Sequence, residues 1–595
     1  MRLEAIDWAF IVGYGVFAFG VGIYFSRRAN QSIEEFFVAG RSLPWWIAGT
    51  SIVATTFAVD TPLVIAGFIR TGGIYENWLW WCVLMGGMLS VFFYARLWRR
   101  AGILTDVEFM ELRYTGRSAA VLRGMMAIYG GVLYNCVIMG WVILAMTKIC
   151  EVLLGWDKVS SIAIMMTLAL SYTLLSGFWG VVVTDFVQFI MAMFGSIALA
   201  GIVLWKMGGA SGMIVQIQAT EAFDPKVFHM VPDFKTAGKL ALLTFLAQVS
   251  VQWWAKGQGD GYIVQRLFST KNERHSMLAA LWFNFAHYVI RPWPWIIVGL
   301  ASLVYFPIVA GEDPELAYPK MIAEFLPVGL RGLMVASLIA AFMSTMDTHL
   351  NWGASYLIND LYKRFIVRDA SPKHYVRASQ VAMLILMVMG ALTAWQSQSV
   401  TAVWKYFFVL TAGVGFVGLL RWYWWRVNAW SEISALASSF LIANGFLWAR
   451  WADGLGLMSA NAMSKIDWFY SGDAYPHRLT TIVLTCTVIW LGVTMLTRPV
   501  ATDHLKMFYR RVRPGGWWGP IAESCPEVPR EKSRGLWLGW ISGVVCVYSG
   551  LFGVGYLCLA QPARAIACLA VAFLSGWYML ASVSDEPSTS EVIES

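Results

Sequence analysis

Charged side chains are scarce in this sequence, where they make up 13% of 595 residues, whereas soluble domains carry roughly 25%. Hydrophobic residues supply 58% of the chain. This balance excludes an ordinary soluble protein and predicts a polytopic membrane protein. The formal net charge of +8 is concentrated in particular loops, as membrane topology requires, and therefore predicts no nucleic-acid partner.

Cysteine pairs of the kind that bind metal or form a disulfide framework are also lacking. The eight cysteines are scattered, and no Cys-x-x-Cys pair occurs. Most of them lie in apolar runs, where cysteine is usually an inert, buried thiol. The start of the chain, MRLEAIDWAFIVGYG, lacks the basic region and the cleavage site of a signal peptide, so we interpret it as a retained first span.

Apolar runs of about 20 residues, the length that crosses a bilayer as a helix, recur throughout the chain. They predict an all-α polytopic membrane protein with about fifteen transmembrane helices. The predicted spans are 6–25, 45–69, 78–98, 121–150, 160–176, 179–207, 239–258, 276–306, 329–362, 376–397, 401–426, 429–449, 479–497, 535–558 and 563–583.

Basic residues alternate between the predicted loops. The loops after the first, third, ninth and thirteenth spans are rich in Lys and Arg, whereas those after the second, fourth, eighth and tenth hold one or none. By the positive-inside rule, the N-terminus is expected outside and the C-terminus inside the plasma (cytoplasmic) membrane. No soluble catalytic domain is expected after the last span.

Spans two to six and seven to eleven form two blocks of five. Because five is odd, the second block must run inverted relative to the first, as in many alternating-access transporters. The predicted divisions are the first span and cytoplasmic loop (1–44), the first five-helix repeat (45–207), an extracellular loop (208–237), the second, inverted repeat (238–426), two peripheral spans (427–500), a basic cytoplasmic loop (501–534), two extra C-terminal spans (535–583) and a disordered acidic tail (584–595).

Polar side chains form a stripe along the ninth predicted span, in the stretch AAFMSTMDTHLN. Residues three or four positions apart share one face of a helix, and Asp347 lies beside this face. Exposing such a stripe to lipid would be costly, so it must face protein, water or an ion. The members of the stripe are Ala341, Ser344, Thr348, Asn351 and Ser355.

Polar residues and a proline interrupt the second predicted span, WWIAGTSIVATTFAVDTPLVIAGFI. Pro62 removes a backbone donor and clashes with the preceding turn. We therefore predict a broken helix whose carbonyl groups around Ala54 and Phe57 point into a cavity. The alternative is a proline kink repaired by threonine hydroxyls, but Asp60 favours the break, since an intramembrane carboxylate costs about 2.5–3.5 kcal/mol.

Together the two interrupted helices offer ligands for sodium, a small hard cation that prefers several oxygen atoms. The carbonyl groups of Ala54 and Phe57 would face the carbonyl of Ala341 and the hydroxyls of Ser344 and Thr345. The alternative for both hydroxyls is a bond to the carbonyl four residues earlier, which is common in apolar helices.

Three further features inside predicted spans each fit two interpretations. Asp185, near the start of the sixth span, fits an ion site or a local pairing with a basic loop. The Trp253–Trp254 pair fits solute stacking, although packing is the simpler expectation. Arg291, in the stretch IRPWPW, fits a substrate or gate charge or a partner for a buried carboxylate.

Four motifs in order resemble the sodium/solute symporters, the family of the proline and sodium–glucose carriers. They are EEFFVAGRSLPWWIAGTSIVATTFAVDTPLVIAG, GFWGVVVTDFVQ, GYIVQRLFSTKN and AAFMSTMDTHLN, and the resemblance covers about residues 6–500. It implies a leucine-transporter-like five-plus-five inverted repeat and sodium-coupled uptake. It also implies that the sodium site of the family carries over to Ala54, Phe57, Ala341, Ser344 and Thr345.

The resemblance leaves the solute open. Where the sugar carriers use a Gln, a Glu and a Lys, ungapped matching finds Thr61, Trp80 and Tyr288. The expected solute is therefore a small organic molecule, either a sugar or an amino acid. Asp185 matches an acidic position that in some members helps to form a second sodium site, and Asp347 is the other candidate for a second ion or for coupling. The candidate substrate or gate residues are Asp60, Thr61, Trp80, Trp253, Trp254, Tyr288 and Arg291.

Two rival interpretations follow from the same residues. A proton-coupled permease of this architecture would use Asp60, Asp185 or Asp347 as its proton carrier. A membrane-embedded enzyme would use His349 near Asp347 as a general base, but no nucleophile, metal constellation or cofactor motif accompanies the pair. We therefore expect a transporter whose partners are sodium, a small solute and the lipid bilayer.

Overall fold

The structure, a computed structural model, describes residues 3–29, 41–103, 105–173, 178–221, 223–259, 261–530 and 533–584. Within these ranges every regular element is a helix, and two isolated β-bridges pair Leu43 with Thr270 and Trp424 with Trp517. The all-α prediction is therefore confirmed. The beginning of the first motif, EEFFVAG, and the predicted acidic tail beyond Ser584 lie outside the described residues.

Nineteen helices are numbered here, and further short α-helices lie in the connections between them, at Phe109–Arg113, Gly209–Gln218, Ala317–Phe325, Ala460–Tyr470 and Gly519–Ala522. The first seven are α1 (Ala5–Ala29), α2 (Trp45–Thr56), α3 (Asp60–Thr71), α4 (Ile74–Ala101), α5 (Gly116–Leu154), α6 (Lys158–Thr173) and α7 (Phe178–Lys206). The next six are α8 (Lys239–Ala247), α9 (Gly261–Phe268), α10 (Glu273–Tyr305), α11 (Leu330–Ile366), α12 (Pro372–Gln396) and α13 (Val400–Tyr423). The last six are α14 (Ala429–Ala443), α15 (Gly445–Gly454), α16 (Tyr475–Leu496), α17 (Thr502–Val512), α18 (Ser533–Cys558) and α19 (Pro562–Ser584).

Eleven of these helices are long and apolar enough to cross a bilayer, and counting each of two bent pairs as one span gives thirteen in the described part of the chain. The predicted count of about fifteen is not confirmed. Within the described residues, the fifth predicted span contains the 16-residue helix α6. The seventh is divided, because α8 gives way to a π-helical turn at Gln248–Gln252 and a 3-10 turn at Trp253–Lys256.

Each predicted five-helix block begins with a broken helix. In the first block, α2 and α3 meet at an angle of 57°. In the second block, α8 and α9 are separated by the glycine-rich stretch that ends at Gly261, whose φ is +51°. A side chain at Gly261 would also collide with the indole ring of Trp352, so both backbone conformation and close packing require glycine there. Matching breaks at the start of both blocks agree with an inverted repeat.

Helix α11 lies at the centre of the bundle. In the most apolar 18-residue stretch of α11, 94% of the residues are buried. The corresponding share is 33% for α12 and 11% for the last helix, α19. Ser344, Thr345 and Asp347 on α11 are all at most 2% exposed. Of the polar stripe itself, Ser344, Thr348 and Ser355 are buried and Asn351 is half-buried, which agrees with the expectation that the stripe faces protein, water or an ion.

Glu315 joins three segments at the predicted outer end of the bundle. It lies in the connection between α10 and α11, pairs with Lys148 of α5, and accepts the backbone N–H groups of Val400 (3.0 Å) and Thr401 (2.8 Å) at the start of α13. Burial by itself raises the pKa of Glu315, but the ammonium of Lys148 and the two N–H groups outweigh burial and hold the pKa below its usual value.

The Glu315→Gln variant is expected to lose about 3 kcal/mol of stability at neutral pH, because it removes one partner of a buried ion pair. Since the pKa of Glu315 is depressed in the folded protein, its contribution is present above about pH 4.3 and is lost as the pH falls further. Thermal melting from pH 7 to pH 3 measures both effects. The exposed Glu324→Gln variant is the matched control, and equal melting of Glu315→Gln and the wild type at pH 7 would contradict the prediction.

Candidate cation and solute site

The first break lies between Thr56, where α2 ends, and Asp60, where α3 begins. Phe57 has a non-helical ψ of 61°, and its N–H donates to the carbonyl oxygens of Val53 (2.8 Å) and Ala54 (3.0 Å). The Thr56 hydroxyl also bonds to the carbonyl of Ile52 at 2.5 Å. The helix is thus broken as predicted. The alternative interpretation also holds in part, because a threonine hydroxyl bonds to one of the carbonyl groups at the end of α2.

Thr345 connects this break to α11. Its Oγ1 donates to the carbonyl of Ala341 at 2.9 Å and lies 3.3 Å from the carbonyl of Thr55. The back-bond that the sequence offered as an alternative is therefore present, and the same hydroxyl reaches the broken helix. Oxygen atoms of two helices far apart in sequence meet at this point.

Ser344 and Asp185 extend this cluster of oxygen atoms toward α7. Ser344 donates its hydroxyl to one carboxylate oxygen of Asp185, and Ser51 of α2 donates to the other at 2.6 Å. All three side chains are almost completely buried. One residue predicted for the cation site, Ser344, thus lies within a hydrogen-bonded network with Asp185.

Sequence reasoning missed Arg266 of α9 as a member of this network. Its guanidinium lies 3.1 Å from the hydroxyl of Thr348, 3.3 Å from those of Ser51 and Thr55, and 3.8 Å from Asp185. The sequence did contain a signal for this residue, since Arg266 follows the glycine-rich break in the motif GYIVQRLFSTKN. The charge of Asp185 is therefore balanced inside the protein by Arg266 and not by a basic loop.

The remaining polar residues of the α11 stripe have partners nearby. Asn351 donates to the carboxylate of Asp347 at 2.8 Å. The Nδ1 atom of His349 lies 2.5 Å from Oδ1 of Asn135, whose amide nitrogen donates to the His349 carbonyl at 2.6 Å. The His349 ring is thus held by Asn135 of α5.

Asp60 and Arg291 lie on the two sides of the break. One carboxylate oxygen of Asp60 accepts from the indole nitrogen of Trp404 at 3.0 Å, and the other is buried without a hydrogen-bond partner. Arg291 donates to the carbonyl of Val53 at 3.3 Å and stacks over the ring of Phe57, while its Nε is buried and unpartnered. Within the described ranges no ion pair joins the two residues.

The aromatic candidates separate into two groups. Trp80 and Tyr288 were both selected by ungapped matching to the sugar carriers. In the structure they stack on each other, with ring centroids 5.5 Å apart. Trp253 lies beside Trp540 of α18, and Trp254 stacks on Phe416 of α13 at 5.0 Å. These contacts favour the packing interpretation for the Trp253–Trp254 pair. Thr61 is buried next to Asp60.

Broken helices that carry a buried cluster of carbonyl, hydroxyl and carboxylate oxygens are typical of ion-coupled membrane transporters. A model of the sodium:solute symporter family matches residues 36–439. The chain belongs to this family. Its members are transporters, and the expectations of a transporter, of a multi-pass membrane protein and of sodium as the coupled ion are confirmed.

The individual relatives have low sequence identity to this chain. The chain is 27% identical to sodium/glucose cotransporter 4 of Danio rerio over 557 residues, covering 84% of this chain and 80% of the relative. It is 24% identical to the sodium/glucose cotransporter of Vibrio parahaemolyticus, covering 74% and 85%. A solved outward-open, substrate-bound sodium-coupled sialic acid symporter matches 84% of this chain and 99% of its own, with a TM-score of 0.64 at 21% identity. This likeness shows the fold alone.

Proposed function

We propose that this protein carries a small organic solute, a sugar or an amino acid, into the cell together with sodium by alternating access. The observation that supports this is the cluster at the break, where Thr345 reaches both Ala341 and the end of α2. Such an all-oxygen cluster suits a hard cation. We assign the sodium site to Ala54, Phe57, Ala341, Ser344 and Thr345.

We assign the remaining candidates by their position relative to this cluster. Asp185 shares Ser344 with it and would couple a second ion or stabilise the first, and Asp347 lies further along α11. Asp60 and Arg291, with Thr61, Trp80 and Tyr288, would form the solute or gate region. The proposed orientation places the N-terminus outside the plasma membrane and the C-terminus inside.

Coupling to one sodium ion is sufficient for concentrative uptake. One ion that crosses 100 mV releases about 2.3 kcal/mol, and a tenfold sodium gradient adds about 1.4 kcal/mol. Together they would sustain roughly 500-fold accumulation of a neutral solute.

Uptake into proteoliposomes distinguishes sodium coupling from the rival proton coupling. An inward sodium gradient is expected to drive accumulation of the solute, and replacing sodium with choline is expected to abolish it, because the proposed site needs a small hard cation. Accumulation that follows a pH gradient in sodium-free buffer would contradict the proposal and would favour Asp60, Asp185 or Asp347 as a proton carrier.

A further inference from the structure

A cavity of about 280 Å³ lies at the predicted outer end of the bundle, where α4, α8, α13 and α16 begin. Ligand pockets usually measure about 300–1,000 Å³, so this cavity accommodates only a small solute. Its polar lining comes from Tyr75, Glu76, Thr244, Gln248, Lys405, Asp473 and Tyr475.

The cavity is lined by three charged groups: the half-buried Glu76 and Lys405, which form no ion pair with each other, and the exposed Asp473. Glu76 is half-buried, and its carboxylate has no hydrogen bond or ion pair with any residue that the structure describes. The ammonium group of Lys405 lies over the ring of Tyr475, 5.7 Å from its centroid, and forms no ion pair with Glu76 within 4.0 Å. Partly buried charges are poorly screened by solvent, so both favour a ligand that brings the complementary charge.

A second pair of separated charges is connected to this cavity through α13. Trp404, the neighbour of Lys405 on α13, donates to Asp60, and Asp60 and Arg291 each retain a buried polar atom without a partner. Solvent screens the exposed Asp473, so each level offers one buried or half-buried negative group and one such positive group. A cationic or anionic solute would be attracted by one group and repelled by the other at both levels, whereas a dipolar solute is attracted by both.

We propose that the cavity binds a zwitterionic, amino-acid-like solute, with its ammonium at Glu76 and its carboxylate at Lys405. The proposal rests on the symport function proposed above and selects the amino acid over the neutral sugar. A neutral sugar offers only hydroxyl groups to these two charges, whereas a zwitterion adds a Coulomb attraction at each of them. Transfer from this cavity toward Asp60 and Arg291 keeps both charges of the solute close to opposite charges.

The test uses the purified full-length protein in sodium buffer, with thermal stability and proteoliposome uptake as readouts. The probes are the standard amino acids and glycine betaine as zwitterions, D-glucose as a neutral solute, L-lactate as an anion and choline as a cation. We expect a zwitterion to stabilise the protein and to be taken up. Glu76→Gln and Lys405→Gln should each raise its half-saturating concentration by about tenfold to 100-fold, with little change in the sodium requirement.

Matched controls are Glu221→Gln and Lys239→Gln, which alter exposed residues outside the cavity. The double exchange of Glu76→Lys with Lys405→Glu should recover part of the affinity that either single exchange loses, which a folding defect would not do. Sodium-dependent uptake of D-glucose with an unchanged half-saturating concentration in both Gln variants would overturn the zwitterion proposal and leave symport standing. Failure of every probe to respond to sodium would overturn the symport function and this proposal with it.

Discussion

Replacing Arg266 with glutamine is expected to reduce sodium-driven uptake more than 100-fold. The guanidinium contacts Ser51, Thr55 and Thr348 and lies 3.8 Å from Asp185. Removing one partner of a buried pair costs about 3–5 kcal/mol, because the other charge is left uncompensated. Arg266→Lys should also be impaired, since an ammonium cannot span the same set of oxygens. Uptake is measured per mass of folded protein in proteoliposomes.

The control for this change is Arg274→Gln, which removes an exposed arginine close to the start of α10. The double variant Arg266→Gln with Asp185→Asn removes both buried charges and should recover more of the thermal stability than of the uptake. Uptake by Arg266→Gln close to that of the wild type would show that this network is not required for transport.

The Thr345→Ala variant should raise the half-saturating sodium concentration by about tenfold to 100-fold. The hydroxyl is the atom that links the Ala341 carbonyl to the end of α2, and losing a bond to a charged ligand costs about 1.5–3 kcal/mol. The maximal rate at saturating sodium should change much less. Sodium titrations of uptake provide the measurement, and Thr345→Ser, which retains the hydroxyl, should remain close to the wild type.

Thr167 provides a matched control for this second change. Its hydroxyl also bonds to the carbonyl four residues earlier, at 2.7 Å, but it is exposed on α6. Thr167→Ala should therefore leave the sodium dependence unchanged. If Thr345→Ala and Ser344→Ala both retain the wild-type sodium dependence, the assignment of the sodium site is wrong.

Local sequence patterns were sufficient for the fold class. Apolar runs predicted an all-helical membrane protein, and Asp60 with Pro62 predicted the break between α2 and α3, because membrane span and helix interruption depend on neighbouring residues. The number of spans that these patterns predicted is not confirmed in the described residues. Glycine and π-helical turns divide the seventh predicted span, and hydropathy averaged over a window does not detect them.

Ala341, Ser344 and Thr345 could be selected from the sequence because residues three or four positions apart share one face of a helix. Their residue types and spacing, together with the family motifs, sufficed to name a candidate sodium site. The sequence by itself thus determined the membrane class, the family and the helices that hold this cluster.

The pairing of charges was decided only by the tertiary structure. Arg266 is 215 residues from Ser51, and Trp404 is 344 residues from Asp60. Glu76 and Lys405 are equally remote in sequence, yet they line one cavity. No local periodicity relates such residues, because their proximity arises from the crossing of helices that are far apart along the chain. The sequence supplied the charged groups, and helix packing determined which of them balance each other.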